Sequence, residues 1–157
     1  MGKKDISYYN EEAKFKFNFR VAVIANKDNK ILLQKCDKDP YYYLIGGRVS
    51  LGESTLTAVK REVEEETGIV VRNSELNLIN IVENFFVYNE VKFHELLFIY
   101  KLNNKELLEK DDFKTLDKEN SYNVWIDIDK LNELDVRPEI IKDTYNSTDI
   151  INTIIGE

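Results

Sequence analysis

The chain has 157 residues, with 29 acidic and 22 basic side chains and a formal net charge of −7 at pH 7. This length predicts a single domain. The acidic balance argues against broad nucleic-acid binding by phosphate neutralisation. No apolar run approaches the roughly 20 residues that a membrane-spanning helix needs, so we expect no membrane segment.

The chain has one cysteine, Cys36, and one histidine, His94, which limits the chemistry that it can carry. A single cysteine excludes an internal disulfide and fits a reducing compartment, so we expect a cytoplasmic protein. A zinc site of the Cys/His type cannot be built. Any bound metal must be held by oxygen, which favours Mg²⁺, Mn²⁺ or Ca²⁺.

The first third of the chain predicts strands. Residues 17–25 (FNFRVAVIA) alternate and are rich in β-formers, and residues 31–35 (ILLQK) continue this pattern after a polar turn. We expect these two segments to form a hairpin. Residues 41–45 (YYYLI) predict a short strand that Gly46 and Gly47 end, opening a loop.

A helix is predicted over residues 54–67, with Ser54 as its N-cap and Gly68 just after its end. Four glutamates crowd its last two turns. Because residues three and four apart share a helix face, Glu62, Glu65 and Glu66 should converge there, whereas Glu64 points elsewhere. They flank the apolar stripe that should pack on a sheet, formed by Leu56, Val59 and Val63.

Most glutamate-rich helix faces are simply solvated, but this one lies beside the buried stripe. Three neighbouring carboxylates repel one another and raise each other's pKa, so the arrangement is costly without a cation among them. Hard divalent cations with oxygen ligands suit such a cluster. We therefore expect a site for Mg²⁺ or Mn²⁺.

The second half of the chain predicts more strands and a helix. Residues 79–88 and 91–102 read as a strand pair joined by a tight turn, and the second strand is expected to be central because it is apolar on both faces. Residues 124–128 predict another strand, and Pro138 is expected at the first position of a helix. This order of elements predicts an α/β fold with a mixed sheet.

The spacing around the glutamates resembles a known motif. Five residues separate Gly47 from Glu53, seven more lead to Arg61-Glu62, and the segment ends at the aliphatic Ile69. Every fixed position of the 23-residue Nudix box is filled, so residues 47–69, with Val63, Glu65, Glu66 and Gly68 in the remaining places, resemble the Nudix hydrolases of MutT type.

The resemblance covers about residues 15–145. The segment from Tyr43 to Gly47 is similar to the family's entry into the box, although a proline is common where Ile45 stands. It implies a Nudix-type α/β/α sandwich with a mixed β-sheet, as a single domain over residues 1–157.

The resemblance also implies an activity. Nudix hydrolases cleave a nucleoside diphosphate linked to another moiety, releasing a nucleoside monophosphate and the phosphorylated remainder. Glu62, Glu65 and Glu66 would bind Mg²⁺ or Mn²⁺, and the carbonyl of Gly46 or Gly47 would add a ligand. Arg61 would orient a catalytic carboxylate, with Glu53 supporting the same network.

Three carboxylates are candidates for the general base: Glu62, Glu119 and Glu95. Glu119 lies in a polar loop six residues before Trp125, a layout similar to that of MutT-like proteins. Glu95 interrupts an apolar strand. His94 reads as structural, since a single strand histidine seldom contacts substrate.

The substrate class stays open at this point. A nucleoside triphosphate, normal or oxidised, is the leading candidate by resemblance, and ADP-ribose or a nucleotide sugar is the alternative. Asn84 stands where ADP-ribose hydrolases carry a proline, and Tyr88 lies late for a diadenosine polyphosphate hydrolase. A non-catalytic nucleotide-sensing module is disfavoured because no box glutamate is lost.

Two further features have open interpretations. Six aromatic side chains could stack on a base or fill the core: Tyr41, Tyr42, Tyr43, Phe85, Phe86 and Tyr88. In the tail, Ile150, Ile151, Ile154 and Ile155 form an apolar stripe. Either the domain itself or the second subunit of a homodimer could cover that stripe.

Overall fold

The computed structural model describes residues 4–157, which form two β-sheets with helices packed around them. The strands are β1 (Ser7–Asn10), β2 (Phe15–Ile24), β3 (Asn26–Lys27), β4 (Lys30–Cys36), β5 (Tyr42–Tyr43), β6 (Ile45–Arg48), β7 (Leu76–Tyr88), β8 (Val91–Leu102), β9 (Phe113–Lys114), β10 (Ser121–Asp127) and β11 (Ile151–Ile155). The helices are α1 (Thr55–Thr67), α2 (Lys105–Glu109) and α3 (Ile141–Thr144), with 3₁₀ turns at Asn73–Glu75 and Ile128–Glu133.

The larger sheet has six strands and is mixed, as predicted. Its order is β1-β2-β8-β7-β11, and β6 pairs with β2 beyond the end of β1. Strand β8 lies between β2, to which it is parallel, and β7, to which it is antiparallel. The prediction that β8 is central is confirmed, as is the strand pair joined by a turn, whose Asn89 and Glu90 both have positive φ.

The predicted hairpin between the first two strands is wrong, because β4 belongs to the second sheet. That sheet has the order β3-β4-β10-β9, with β5 on the other edge of β4. The chain leaves the larger sheet at Ala25 and makes only a two-residue hairpin, β3-β4, around the positive-φ residues Asp28 and Asn29. Residues 31–34 are buried on both faces of β4, so the strand needs neighbours that β2 cannot supply.

Helix α1 forms where the sequence predicts it. The hydroxyl of Ser54 accepts a hydrogen bond from the backbone N–H of Thr57 at 3.1 Å, and Gly68 ends the helix in the left-handed region at φ +76°. Val59 and Val63 are fully buried and Leu56 packs beside them, so the predicted stripe is confirmed. These caps and this packing fix which turn of α1 faces β6.

Hydrophobic clusters cover both faces of the larger sheet. One lies between this sheet and α1, and includes Val21, Val23, Val59 and Val63. The other lies between this sheet and β4, with α3 and the second 3₁₀ turn around it, and includes Ala22, Ile24 and Leu33. Alternate residues of β2 therefore face opposite cores, as the period of a strand requires.

Two boundaries differ from the sequence predictions, and the structure selects one of the two alternatives for the tail. Gly46 and Gly47 lie inside strand β6 rather than ending a strand, and the missing side chain of Gly46 lets β6 approach β2 closely. Pro138 lies in a turn, and α3 begins only at Ile141, with no side-chain hydrogen bond capping its first turn. The isoleucine-rich tail pairs as β11 with β7, so the domain itself receives it, while Ile150, Ile151 and Ile154 keep exposed side chains.

No helix within residues 4–157 combines the length and the apolar character that crossing a bilayer would require.

Candidate active site

The guanidinium of Arg61, on α1, joins several groups of the predicted site. Its Nε and Nη2 donate to the two carboxylate oxygens of Glu53 at 2.7 and 3.0 Å, which is a bidentate pair. Its Nη1 donates to Glu62 at 2.6 Å and to Glu65 at 3.1 Å, and Nη2 also donates to the carbonyl of Arg48 at 2.9 Å. Hydrogen bonding to Glu53 is the main reason that the pKa of Arg61 is raised, although burial opposes it. The guanidinium therefore stays charged.

Glu53 connects this network to the backbone before α1. Its Oε2 accepts a hydrogen bond from the N–H of Ser50 at 2.9 Å, so both of its oxygens are engaged. Charge-assisted bonds of this kind are shorter and stronger than neutral ones. Glu53 and Arg61 together tie α1 to the end of β6.

Glu62 lies against the glycine strand. A Cβ placed on Gly47 would fall 2.3 to 2.4 Å from the carboxylate atoms of Glu62, so only glycine leaves room for this side chain. Glu62 is 9% exposed, whereas Glu65 lies at the surface. The absence of a side chain at Gly47 therefore lets the Glu62 carboxylate lie against β6.

Glu66 is fully buried and holds a different set of partners. Its Oε2 accepts a hydrogen bond from Gln34 on β4 at 2.8 Å, and its Oε1 pairs with the ammonium of Lys118 at 2.5 Å. Burial raises the pKa of Glu66, while the charge and hydrogen bond of Lys118 act in the opposite direction. The ammonium of Lys118 therefore offsets only part of the effect of burial on this carboxyl.

The loop that carries Glu119 is attached to α1. The N–H of Leu116 donates to the carbonyl of Glu66 at 2.9 Å, and Lys118 reaches the Glu66 carboxylate from the same loop. Glu119, the next residue, is exposed. The structure therefore brings the loop of Glu119 to the glutamate helix but does not place the Glu119 side chain in contact with Glu62, Glu65 or Glu66.

A cleft of about 690 Å³ opens on the opposite face of the larger sheet from α1 and reaches Gly46 and Arg48 of β6. Basic side chains line it, among them Lys16, Arg20 and Arg137. Four of the six predicted aromatics also line it, namely Tyr41, Tyr43, Phe86 and Tyr88. Tyr42 instead packs on the core. Phe85 stacks on His94 with 4.2 Å between the ring centroids, which is the structural role expected for that histidine.

Glu95 lies in this cleft and away from the glycine strand. It faces Asn18 across β2 and β8, and its Oε2 accepts a hydrogen bond from the Asn18 amide at 3.2 Å. Gly46 faces Ala22, four residues further along β2. At about 3.3 Å per residue, the two places are about 13 Å apart along the strand.

The family model of the NUDIX domain matches residues 15–145. The chain belongs to the NUDIX family. An RNA pyrophosphohydrolase from Pelagibacter ubique (strain HTCC1062) is 31% identical to it over 140 residues, which are 77% of this chain and 84% of that protein. An ADP-ribose pyrophosphatase from Methanocaldococcus jannaschii is 48% identical over 50 residues, a segment that spans 30% of either protein. This chain is therefore a Nudix hydrolase.

Solved structures show the same fold. The MutT protein from Bacillus halodurans superposes with a TM-score of 0.67 at 24% identity, covering 87% of this chain and 88% of that one. A NUDIX hydrolase from Nitrosomonas europaea gives 0.58 at 18% identity, covering 89% and 79%. The Nudix-type mixed α/β architecture predicted from the sequence is confirmed.

The Nudix glutamates have the right donors for a hard cation, although their side chains do not form a closed cage. Within residues 4–157, no three acidic, histidine or cysteine side chains come close enough together to hold a metal ion. All candidate donors are oxygens, and the Lys118 ammonium already stands in for a cation on Glu66. The predicted convergence of the three glutamates is therefore not seen in these residues, because Glu62 and Glu65 bond to Arg61 whereas Glu66 bonds to Gln34 and Lys118. Their oxygen donors are of the type that Mg²⁺ or Mn²⁺ takes, and Glu66 could reach a cation only if Lys118 left it.

The sequence reading missed several polar residues of the Nudix site. Gln34 and Asn123 form a buried hydrogen-bonded pair at 3.2 Å on β4 and β10, and Gln34 supports Glu66. Lys118 precedes the predicted Glu119, and Asn18 is buried in the cleft floor. Gln34 directly follows the apolar run of residues 31–33, and this was the available signal, because a buried polar side chain needs a partner. Asn18 stands between Lys16 and Arg20 in an alternating strand, so its position gave no such signal.

Substituting the two adjacent glycines should separate stability from function. In Gly46→Ala the new methyl would lie 2.1 Å from the backbone oxygen of Val21, so we expect a loss of about 1–3 kcal/mol in the free energy of unfolding. In Gly47→Ala the obstacle is the flexible end of Glu62, so the fold should persist while hydrolysis falls. Urea unfolding and turnover assays would check both. Equal stability losses in the two variants would contradict this assignment.

Proposed function

We propose that this Nudix domain is a metal-dependent pyrophosphohydrolase that cleaves a nucleoside diphosphate linked to another moiety, with a nucleoside triphosphate as its leading substrate. The products are a nucleoside monophosphate and the phosphorylated remainder. The observation that carries the proposal is the Arg61 network, which holds box carboxylates against β6, the strand whose Gly46 and Arg48 form one wall of the cleft.

The cleft suits an anionic, partly planar ligand. Lys16, Arg20 and Arg48 supply positive charge on its floor and wall, and Phe86, Tyr88 and Phe93 line the end away from β6. Arg48 also has a buried Nε without a hydrogen-bond partner. The base would lie towards the aromatics and the phosphates towards β6. Because β6 is an edge strand that pairs only with β2, the reacting anhydride would pass around this edge to reach the glutamates of α1.

The box residues would share the work of binding and orientation. Glu62, Glu65 and Glu66, with the carbonyl of Gly46, would hold the divalent cation. When bound, that ion would neutralise the pyrophosphate and lower the pKa of the attacking water. Arg61 would fix the orientation of Glu62 through the 2.6 Å hydrogen bond between its Nη1 and the Glu62 carboxylate. Lys118 would move away from Glu66 when the cation binds there.

Glu119 is our candidate for the general base, because a base must reach the attacking water without being neutralised by the metal. It lies one residue from Lys118, on a loop already bonded to Glu66. Movement of Lys118 away from Glu66 would carry its neighbour with it. Glu62 is held by Arg61, and Glu95 lies about 13 Å along the sheet, so both are less suited.

A second substrate class is favoured by the long match to an RNA pyrophosphohydrolase. A 5′-triphosphorylated RNA end presents the same anhydride, and an open cleft would accept it without broad binding to the rest of the strand. The shorter match to an ADP-ribose pyrophosphatase supports ADP-ribose as a further alternative.

One substrate panel assayed with Mg²⁺ separates these choices. It contains nucleoside triphosphates, oxidised guanine nucleotides, ADP-ribose, nucleotide sugars and triphosphorylated RNA. Failure to cleave any anhydride would refute the proposed activity and favour a sensing module.

Glu66→Gln tests the metal site. The variant keeps the shape of the side chain but removes its charge, so turnover should fall roughly 10²-fold or more, as several kcal/mol of charge stabilisation is lost. Mg²⁺ should raise the melting temperature of the wild type more than that of the variant. Glu64→Gln, which alters an exposed glutamate of the same helix, is the matched control. Wild-type turnover of Glu66→Gln at saturating Mg²⁺ would refute the assignment.

Glu119→Gln tests the general base. Loss of the base should lower kcat by roughly 10²- to 10⁴-fold with every substrate, while the affinity for Mg²⁺ changes little. Glu90→Gln, in the exposed turn between β7 and β8, is the control. If Glu119→Gln is silent and Glu95→Gln lowers kcat equally for all nucleotides, the strand supplies the base.

A further inference from the structure

The floor of the cleft carries a polar row that the box does not explain. Asn18 on β2 faces Glu95 on β8, and Glu95 faces Asn84 on β7, so the three residues lie side by side across adjacent strands. All three line the cleft. The neighbouring positions on the same face are Phe93 and Leu97 on β8, and Lys16 and Arg20 on β2. The row thus places two amides and one carboxylate between aromatic, apolar and basic side chains.

The hydrogen bonds of the row are incomplete. Asn18 is 2% exposed, and its amide nitrogen must face Glu95, because a carboxylate only accepts. The Asn18 Oδ1 is then left buried without a hydrogen-bond partner. The nearest cation to Glu95 is Arg20, at 3.9 Å, which is too long for a hydrogen bond. A buried acceptor without a partner is costly, so the row is suited to a ligand that brings donors.

Aromatic rings stand next to the polar row. Phe86 and Phe93 stack at 4.8 Å between ring centroids, and Phe86 is 38% exposed. On the other wall, the Arg137 guanidinium lies 4.0 Å from the ring centroid of Tyr41. Such surfaces favour a flat, unsaturated ring whose edge could meet the row.

We propose that Asn18 and Glu95 bind the edge of a guanine base, an inference that rests on the proposed nucleotide substrate and names its base. Guanine carries two adjacent N–H donors on its Watson–Crick edge, at N1 and at the 2-amino group. The Glu95 carboxylate accepts from this pair, and Asn18 Oδ1 accepts the remaining amino hydrogen. Arg20, beside Glu95, is a donor for the guanine O6.

The other common bases fit this row poorly. Adenine and cytosine place a ring nitrogen acceptor next to their amino group, and that acceptor would meet the Glu95 carboxylate. Uracil and thymine have one N–H between two carbonyl oxygens. Guanine is therefore selected in two ways. Glu95 and Asn18 accept from its N–H groups, and the Glu95 carboxylate has no hydrogen to donate to the ring nitrogen of adenine or cytosine, which would be left unpaired in the complex.

The distance from the row to β6 agrees with this placement. The row lies about 13 Å along β2 from the residue that faces Gly46. A nucleoside and its phosphates can span that separation, with the base on the row and the phosphates beside β6. Arg20 and Arg48, which face each other across β2 and β6, lie between the two ends.

Guanine recognition can be measured without catalysis by comparing GMP with IMP, which differs only in lacking the 2-amino group. Calorimetric titration without divalent metal should show GMP binding roughly 10- to 100-fold more tightly than IMP, the effect of a hydrogen bond to a charged group. AMP should bind more weakly than GMP. Glu95→Gln should bring the GMP and IMP affinities close together, and Asn18→Ala should reduce the difference in part.

Glu83→Gln is the matched control, because it removes a carboxylate next to Asn84 on β7 that does not line the cleft. It should keep the wild-type ratio. Equal affinities of the wild type for GMP, IMP and AMP would overturn the inference, as would no binding of any of them or an unchanged ratio in a folded Glu95→Gln protein. Hydrolysis of GTP, ITP and ATP with equal kcat/KM would also overturn it but leave the proposed activity intact. Selective GMP binding without hydrolysis of any nucleotide would support the guanine inference and refute the proposed activity.

Discussion

The bidentate ion pair between Arg61 and Glu53 is the constraint on which the rest of the site depends. One guanidinium fixes Glu53, Glu62 and Glu65 and also bonds to the carbonyl of Arg48, so it joins α1 to the glycine strand. A planar fork is needed to hold so many acceptors in fixed directions. Without it, the neighbouring carboxylates would repel one another and disperse.

The two faces of the larger sheet differ in charge. The box carboxylates lie on the α1 side, whereas the cleft on the other side is lined by four basic side chains, Lys16, Arg20, Arg48 and Arg137, and by three acidic ones, Asp39, Glu95 and Glu139. A protein with a net charge of −7 can therefore attract an anionic ligand locally, because charge close to the site outweighs the distant average. The glycine strand lies at the boundary, and its lack of side chains lets Glu62 approach it.

The sequence predicts the local features of this structure much better than the long-range ones. The caps of α1, its buried stripe and the central strand β8 follow from short-range patterns and are confirmed. Which sheet β4 joins, and where the tail docks, depend on contacts with distant strands that no local pattern encodes. The box motif places the glutamates on one helix, but the partners Lys118 and Gln34 come from other elements and appear only in three dimensions.

The affinity of the protein for Mn²⁺ in the variant Arg61→Lys, measured by electron paramagnetic resonance, tests the central claim most directly. Lysine keeps the positive charge but loses the fork, so only the orientation of the carboxylates changes. The account predicts a 10- to 100-fold weaker affinity, as for other residues that orient metal ligands, with no change in Arg72→Lys, whose side chain pairs with Glu75 at the surface. Equal Mn²⁺ affinities in Arg61→Lys and wild type would contradict the account.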